Sequence, residues 1–441
     1  MWEKPLRRLI LQQLLKWKQK ENRKPLLIYG ARQVGKSWIM EEFGKTQFSD
    51  FVYVNFERND RICDLFEKTL EPSVLLQGLE IETHKKISPD MLIIFDEIQA
   101  CPKAITALKY FCEDCPNYHI IAAGSLLGVA IHQGVSFPVG KVDAVHMHPM
   151  TFLEFLEAIG ESKLCEIINN LQFDLIGLFH EKLTDYLRTY FYVGGMPEVV
   201  ASYVNDRDFQ KVRQLQKRIL SDYKSDFSHH IPNEILDKAS KLWESIPVQL
   251  AKENKKFVYK EVDSRNARSK DYDPAIQWLK DSGLIHQVKR IKKPALPISG
   301  YKEENIFKLF MLDVGLLSAK TGLDVRVLLE GSRIFTEFKG AMTEQFVLQE
   351  LSAKEDIEVG YWANNKGDAE VDFVVQIGSM IVPIEVKAGV NLQAKSLAFY
   401  NEKFKPEFCV RASLANYKQT DNLHDLPLYM LESLENVLLR E

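Results

Sequence analysis

The chain has 441 residues, 46% of them hydrophobic and 27% charged, with a formal net charge of −4. That length exceeds one ordinary core and predicts two to four domains of a globular protein. The balance excludes a global polybasic signature, so any contact with nucleic acid must come from a local patch. No apolar run approaches the ~18 residues of a membrane span, so no membrane partner is expected.

The N-terminal stretch "MWEKPLRRLILQQLLKWKQK" reads as an amphipathic first helix. Gln12 and Gln13 break its apolar run and no small-residue cleavage site comes after it, so a signal peptide is not expected. The six cysteines are scattered, and Cys112 and Cys115 form the one CxxC, without a second pair for zinc. Free thiols in a reducing cytoplasm are the expectation.

Residues 1–150 alternate short apolar runs ("PLLIYG", "FVYVNF", "MLIIFD", "HIIAAG") with helical ones, as buried parallel strands and their crossovers should. "LLIYGARQVGKSWIM" places Gly30, Gly35, Lys36 and Ser37 in the spacing GxxxxGK[ST], after a strand and before a helix. Ala31, Arg32, Gln33 and Val34 complete a loop whose N–H groups would point at phosphate oxygens, and Trp38 follows on the helix. Lys36 would reach the β- and γ-phosphates, and the Ser37 hydroxyl would ligate Mg²⁺. At the end of "MLIIFDEIQAC", Asp96 suits the Mg²⁺ shell and Glu97 suits a general base for the attacking water. Glu97, with no acceptor-binding lid in view, disfavours a small-molecule kinase. Ser125, closing "YHIIAAGS", stands where a γ-phosphate sensor would. A fast enzyme would need an arginine finger, and the sequence singles none out: Arg32 lies inside the phosphate loop, and Arg188, Arg213 and Arg218 lie in the helical segment. ATP and Mg²⁺ are thus the expected cofactors.

Residues 151–235 read as helices. Within 236–330, "FVYKEVDSRNARSKDYDPAIQWLKDSGLIHQVKRIKK" gives helix, turn, helix and strand, the order of a winged helix-turn-helix. Residues 252–293 carry twelve Lys/Arg against six Asp/Glu. That local excess suits sequence-blind contact with a phosphate backbone, or equally a solvated charged face packing inside the protein.

In 331–441, "AEVDFVVQIGSMIVPIEVKAG" folds as a hairpin if Gly378-Ser379 is a two-residue turn. Ile377, Val375, Phe373 and Val371 would then face Met380, Val382, Ile384 and Val386 on the core side. The other face would set Asp372 opposite Glu385 and Glu370 opposite Lys387. Two facing carboxylates repel, and a divalent cation between them would remove the conflict. On the preceding helix Glu344 falls within an apolar stripe, which turns it inward.

"GARQVGKS", "IIFDEIQ", "AAGSLL", "FPVGKVDAVHMHPMTFLEFL" and "YFYVGGMPEVV" together resemble a large family of bacterial and archaeal AAA+ ATPases with a C-terminal domain of unknown function. The segments Pro149–Phe155 and Gly194–Glu198 make the match specific. Where that family often has Gly-Arg, this chain has Gly140-Lys141, and Lys141 would supply charge without a bidentate fork. Glu344, Asp372, Glu385 and Lys387 resemble, position by position, the PD-(D/E)XK nucleases. The resemblance implies metal held by Glu344, Asp372 and Glu385, with Asp372, Glu385 and Lys387 in catalytic roles.

The expected fold is α/β: a P-loop AAA+ parallel-sheet core (1–150), a helical lid (151–235), a winged-helix middle (236–330) and a restriction-endonuclease-like α/β domain (331–441). The expected function is Mg²⁺-dependent ATP hydrolysis coupled to nucleic acid, DNA before RNA, with cutting by the C-terminal domain. The alternative is an ATP-dependent switch whose nuclease-like domain is silent and serves as a binding platform. A second copy of the chain or another protein is the further partner expected.

Overall fold

Runs such as Leu92–Asp96 are buried at every position, so they belong between two layers of helix. Five strands form a parallel sheet: β1 (Leu26–Tyr29), β2 (Phe51–Asn55), β3 (Leu92–Asp96), β4 (His119–Ala123) and β5 (Asp143–His146), in the order β2-β3-β4-β1-β5. β1, β3 and β4 thus lie side by side, and their C-terminal ends carry the phosphate loop, Asp96-Glu97 and Ser125. One face is filled by the edge-on rings of Phe56, Phe66 and Phe95. β5 was hidden in the sequence inside "KVDAVHMHP", four residues with no buried run.

The computed structural model describes residues 7–132, 138–252, 255–263, 268–329, 336–355, 357–364, 367, 369–389 and 394–440. The chain divides into two units: residues 1–148 with 281–284, and residues 149–280 with 285–441. None of the described helices is long and apolar enough to cross a membrane. Cys112 and Cys115 are partly buried free thiols.

The second unit begins with six helices between Phe152 and His230. Thr151 opens the first with a capping box, its hydroxyl taking the Glu154 N–H while the Glu154 carboxylate takes the Thr151 N–H at 2.8 Å. The Gly194-Gly195 pair sits on Asp313, whose carboxylate accepts the Gly195 N–H at 2.6 Å and the Leu316 N–H at 2.8 Å. A Cβ at Gly194, where φ is +74°, would lie 2.4 Å from the Asp313 carboxylate. The "FYVGGMP" motif is therefore a close-packed buried joint.

Short helices at Tyr259–Val262 and Ser269–Asp281 precede the antiparallel pair β6 (Ile285–Ile291) and β7 (Lys302–Met311). This hairpin is joined to the C-terminal strands. β8 (Glu358–Ala363) pairs with β6, and the sheet continues through β9 (Glu370–Ile377), β10 (Met380–Val386), β11 (Cys409–Ser413), β12 (Lys418–Thr420) and β13 (Leu423–Pro427). The order is β12-β13-β11-β10-β9-β8-β6-β7. The segments read as middle and C-terminal thus share one eight-stranded sheet.

Candidate functional site

The phosphate loop runs from the end of β1 into the helix Lys36–Gln47. Gly30, Gln33 and Gly35 all take positive φ, at 147°, 68° and 96°. A Cβ at Gly30 would meet the Met147 carbonyl at 2.3 Å, so glycine is required there. The Lys36 ammonium folds back on the loop, donating to the Gly30 and Ala31 carbonyls at 2.8 Å each. Burial lowers its pKa to about 8, against the opposing pull of Glu97 and Asp96. Ala31 and Val34 are buried; Arg32, Gln33 and Trp38 are half-buried.

The Ser37 hydroxyl donates to Asp96 Oδ2 at 2.6 Å, and the Tyr53 hydroxyl donates to the same oxygen at 2.6 Å. A hydroxyl and a carboxylate so placed beside a phosphate loop fit the ligand chemistry of Mg²⁺, which keeps a few protein oxygens and completes its shell with water and phosphate. Glu97 sits at φ +50°. Its Oε2 accepts from Gln99 Nε2 at 2.7 Å and from the Ser125 N–H and hydroxyl at 3.1 Å each. Burial pushes this carboxyl up, but those donors and Lys36 outweigh it and hold it below the usual range. Gly30 through Trp38, Asp96, Glu97 and Ser125 are thus gathered at one end of the sheet.

Three residues at this site were not read from the sequence. Tyr53 and Gln99 sit in ordinary strand and turn contexts. Arg8, buried, donates to the Val34 carbonyl at 3.1 Å and the His148 carbonyl at 2.7 Å, bracing the loop from outside. Lys141 pairs with Glu113 at 2.9 Å. Arg188, Arg213 and Arg218 are engaged inside the second unit, with Asp185, with Tyr192, Ser318 and Leu323, and with Glu198.

In the C-terminal sheet the hairpin register is as the turn dictates from Met380–Ile377 through Ile384–Phe373, with Gly378 at φ +56°. Past that point the pairing changes. The Val386 N–H goes to Asp372 Oδ2 at 2.8 Å. Glu370 does not bridge to Lys387: it pairs with Lys308 of β7 at 2.6 Å, while Lys387 pairs with Glu385 at 2.7 Å. Glu344, on the helix Thr336–Ser352, is buried as its stripe required, with Lys255 on Oε1 and Lys308 3.8 Å from Oε2. Burial, Glu344 and Glu385 together push Asp372 well above the carboxylate range, and the Asp372 carboxyl bonds to Glu344. Burial also raises Glu385, against Lys387. Glu344 stays low although burial opposes it, because Lys255 and Lys308 face it.

Mg²⁺ was expected at Glu344, Asp372 and Glu385. In this arrangement ammonium groups take that part. Among the described residues no group of three or more His, Cys, Asp or Glu side chains is placed to hold a metal ion, and the set as arranged does not fit one. The basic stretch 252–293 is also partly spent internally: Lys252 pairs with Glu261, Lys255 with Glu344, Lys289 with Glu304 and Arg290 with Glu303.

Three family profiles match the chain: an AAA domain over residues 22–156, a domain of unknown function (DUF8612) over 184–326, and another (DUF4143) over 339–431. No curated protein matches significantly. Among solved structures, the Walker-type ATPase PABY2304 of Pyrococcus abyssi is similar at 14% identity and TM-score 0.46, covering 73% of this chain and 99% of that one. PCH-2 of C. elegans is similar at 14% identity and TM-score 0.22, over 35% of this chain and 44% of that one. Drosophila ORC bound to DNA is similar at 14% identity and TM-score 0.24, over 72% and 95%. With the phosphate loop after β1 and Asp96-Glu97 closing β3, two parallel strands with β4 between them, residues 22–156 form an AAA-type P-loop ATPase domain.

Proposed function

We propose that the protein is a Mg²⁺-dependent ATP hydrolase whose nuclease-like C-terminal domain binds a partner rather than cuts it. The observation that carries the first part is the contact of Ser37 with Asp96 beside a Glu97 tied to Ser125. The loop amides and Lys36 bind the β- and γ-phosphates, Lys36 exchanging its two carbonyl partners for phosphate oxygens. Ser37 and Asp96 would hold Mg²⁺, which supplies neutralising charge to those oxygens. Glu97 orients a water and accepts its proton, and Ser125 couples Glu97 to the γ-phosphate.

For the C-terminal domain, the Lys255 and Lys308 ammonium groups facing Glu344 favour the switch reading over the nuclease reading, whereas Lys387 beside Glu385 fits both. ATPase core 1–150, lid 151–235, winged helix 236–330 and nuclease-like domain 331–441 are kept as functional labels only, since the β6–β7 hairpin of the third lies in the sheet of the fourth. Arg268, Lys270, Lys292 and Lys293 are exposed and support contact with a nucleic-acid backbone, DNA before RNA. A cytoplasmic setting accords with the six free thiols, and self-association or a protein partner completes the proposal.

The test is Mg²⁺-dependent phosphate release by the wild type and Lys36→Ala, run beside cleavage of single- and double-stranded DNA and RNA by the wild type and Lys387→Ala. Hydrolysis lost in Lys36→Ala supports the ATPase assignment, and hydrolysis unchanged there refutes it. Cleavage that disappears in Lys387→Ala would restore the nuclease reading.

A further inference from the structure

The C-terminal acid cluster contains four acidic side chains, Glu344, Glu370, Asp372 and Glu385, and three ammonium groups, Lys255, Lys308 and Lys387. Their situations differ. Lys308 is fixed: it is 1% exposed, sits in the middle of β7, bridges Glu370 and Glu344, and lies 4.8 Å from the Tyr361 ring centre. Lys387 is partly exposed beside Glu385 on the same strand end. Lys255 stands on neither helix nor strand, in the stretch before Tyr259–Val262, and it reaches Glu344 across 89 residues of sequence.

Two carboxylate oxygens, Glu344 Oε2 and Glu385 Oε2, are buried without any hydrogen-bond partner. Both residues are more than nine-tenths buried, at 4% and 6% exposed. A buried carboxylate oxygen lacking a donor is costly, and a cation beside it removes the cost. Lys308 stands 3.8 Å from Glu344 Oε2, beyond hydrogen-bond reach, and the Lys387 bridge uses the other oxygen of Glu385, so each of these oxygens faces an ammonium that does not bond it.

Resting on the silent-domain reading above, we infer that Lys255 is the built-in cation of this cluster: its ammonium takes the place of a divalent ion on Glu344 and excludes one. The long flexible stem carries a point charge to carboxylates that several elements bring together, a task for which lysine suits better than arginine's planar fork. Lys255 and a divalent cation compete for the same carboxylates, so removing the ammonium creates a metal site that the native chain lacks.

The experiment uses the full chain without nucleotide, in an Asp96→Asn background so that the ATPase site contributes no metal binding. Thermal midpoints and Mn²⁺ electron paramagnetic resonance are compared with and without Mn²⁺ for the Lys255 parent, Lys255→Ala and Lys255→Gln. The parent is expected to show no bound Mn²⁺ and an unchanged midpoint. Both substitutions are expected to bind Mn²⁺ and to gain about 3 °C or more on its addition. A further Glu344→Gln change should abolish that gain. Mn²⁺ bound by the parent and lost with Glu344→Gln overturns the inference. So does a folded Lys255→Gln protein that ignores Mn²⁺, or a Lys255→Ala protein that Mn²⁺ does not rescue. DNA or RNA cleavage by the native chain would instead sink the silent-domain reading, a separate result.

Discussion

Glu97→Gln isolates the chemical step. Glu97 Oε2 takes three hydrogen bonds, from Gln99 and twice from Ser125. Glutamine keeps an oxygen of the same shape for those donors, so the turn and the sheet end should stand. What it loses is the ability to accept a proton from water. A positioned general base contributes about 10²–10⁴-fold, equivalent to roughly 3–5.5 kcal/mol of barrier. The expected result is kcat lower by that factor in a phosphate-release assay, with ATP affinity within about threefold because no phosphate contact is removed. The acid limb sharpens the test. Gln99, Ser125 and Lys36 hold this carboxyl below its usual range against the effect of burial, so wild-type kcat should persist down to about pH 5 as far as this group is concerned. A variant within tenfold of wild type in kcat would refute the assignment of Glu97 as the base. Equal losses of affinity and turnover would show that the substitution disturbed the phosphate loop instead.

Lys36 titrates near 8 in the free protein because it is buried, whereas bound phosphate favours its charged form. ATP binding above that pH must take up a proton, and affinity should fall by up to about tenfold per pH unit. Calorimetry in buffers of different ionisation enthalpy at alkaline pH would read that uptake, and its absence would contradict the buried-lysine account. Tyr53→Phe removes one of the two donors on Asp96 Oδ2, a hydrogen bond to a charged group worth about 1.5–3 kcal/mol. The Mg²⁺ concentration for half-maximal rate should rise while kcat at saturating Mg²⁺ stays near wild type; a change confined to kcat would remove Tyr53 from a positioning role. Gly194→Ala forces an alanine to φ +74° and its methyl against Asp313, at a cost of about 2–4 kcal/mol from backbone strain and overpacking. Urea denaturation would detect it, and an unchanged midpoint would show that the joint yields easily.

What could be read in the sequence was what local pattern determines. The phosphate loop is a contiguous stretch whose glycines are dictated by backbone geometry, and Gly30 and Gly35 adopt the φ values that make them necessary. The hairpin register came from a two-residue turn and a period of two, and it holds where both faces are regular. It stops describing the site where Asp372 turns to a backbone N–H, since a side chain replacing a ladder partner leaves no trace in the pattern. Lys308 did leave one: a lysine inside "NIFKLFML" has no place in an apolar strand without buried acids to meet it. Lys255, Arg8 and Tyr53 left none. Their partners lie 26 to 140 residues away, and such pairings are fixed by the folded topology alone.

The shared eight-stranded sheet bears on how this chain can be divided. A fragment begun at residue 331, the domain boundary expected from the sequence, would keep β8 to β13 but lose β6 and β7. Strand β8 would become an unpaired edge, offering its N–H and C=O groups to any neighbouring molecule. The same cut would remove Lys308 and leave Glu370 without its ammonium partner. Such a fragment is expected to aggregate more readily than the second unit taken whole. The boundary that respects the hydrogen-bond ladder lies upstream of Ile285.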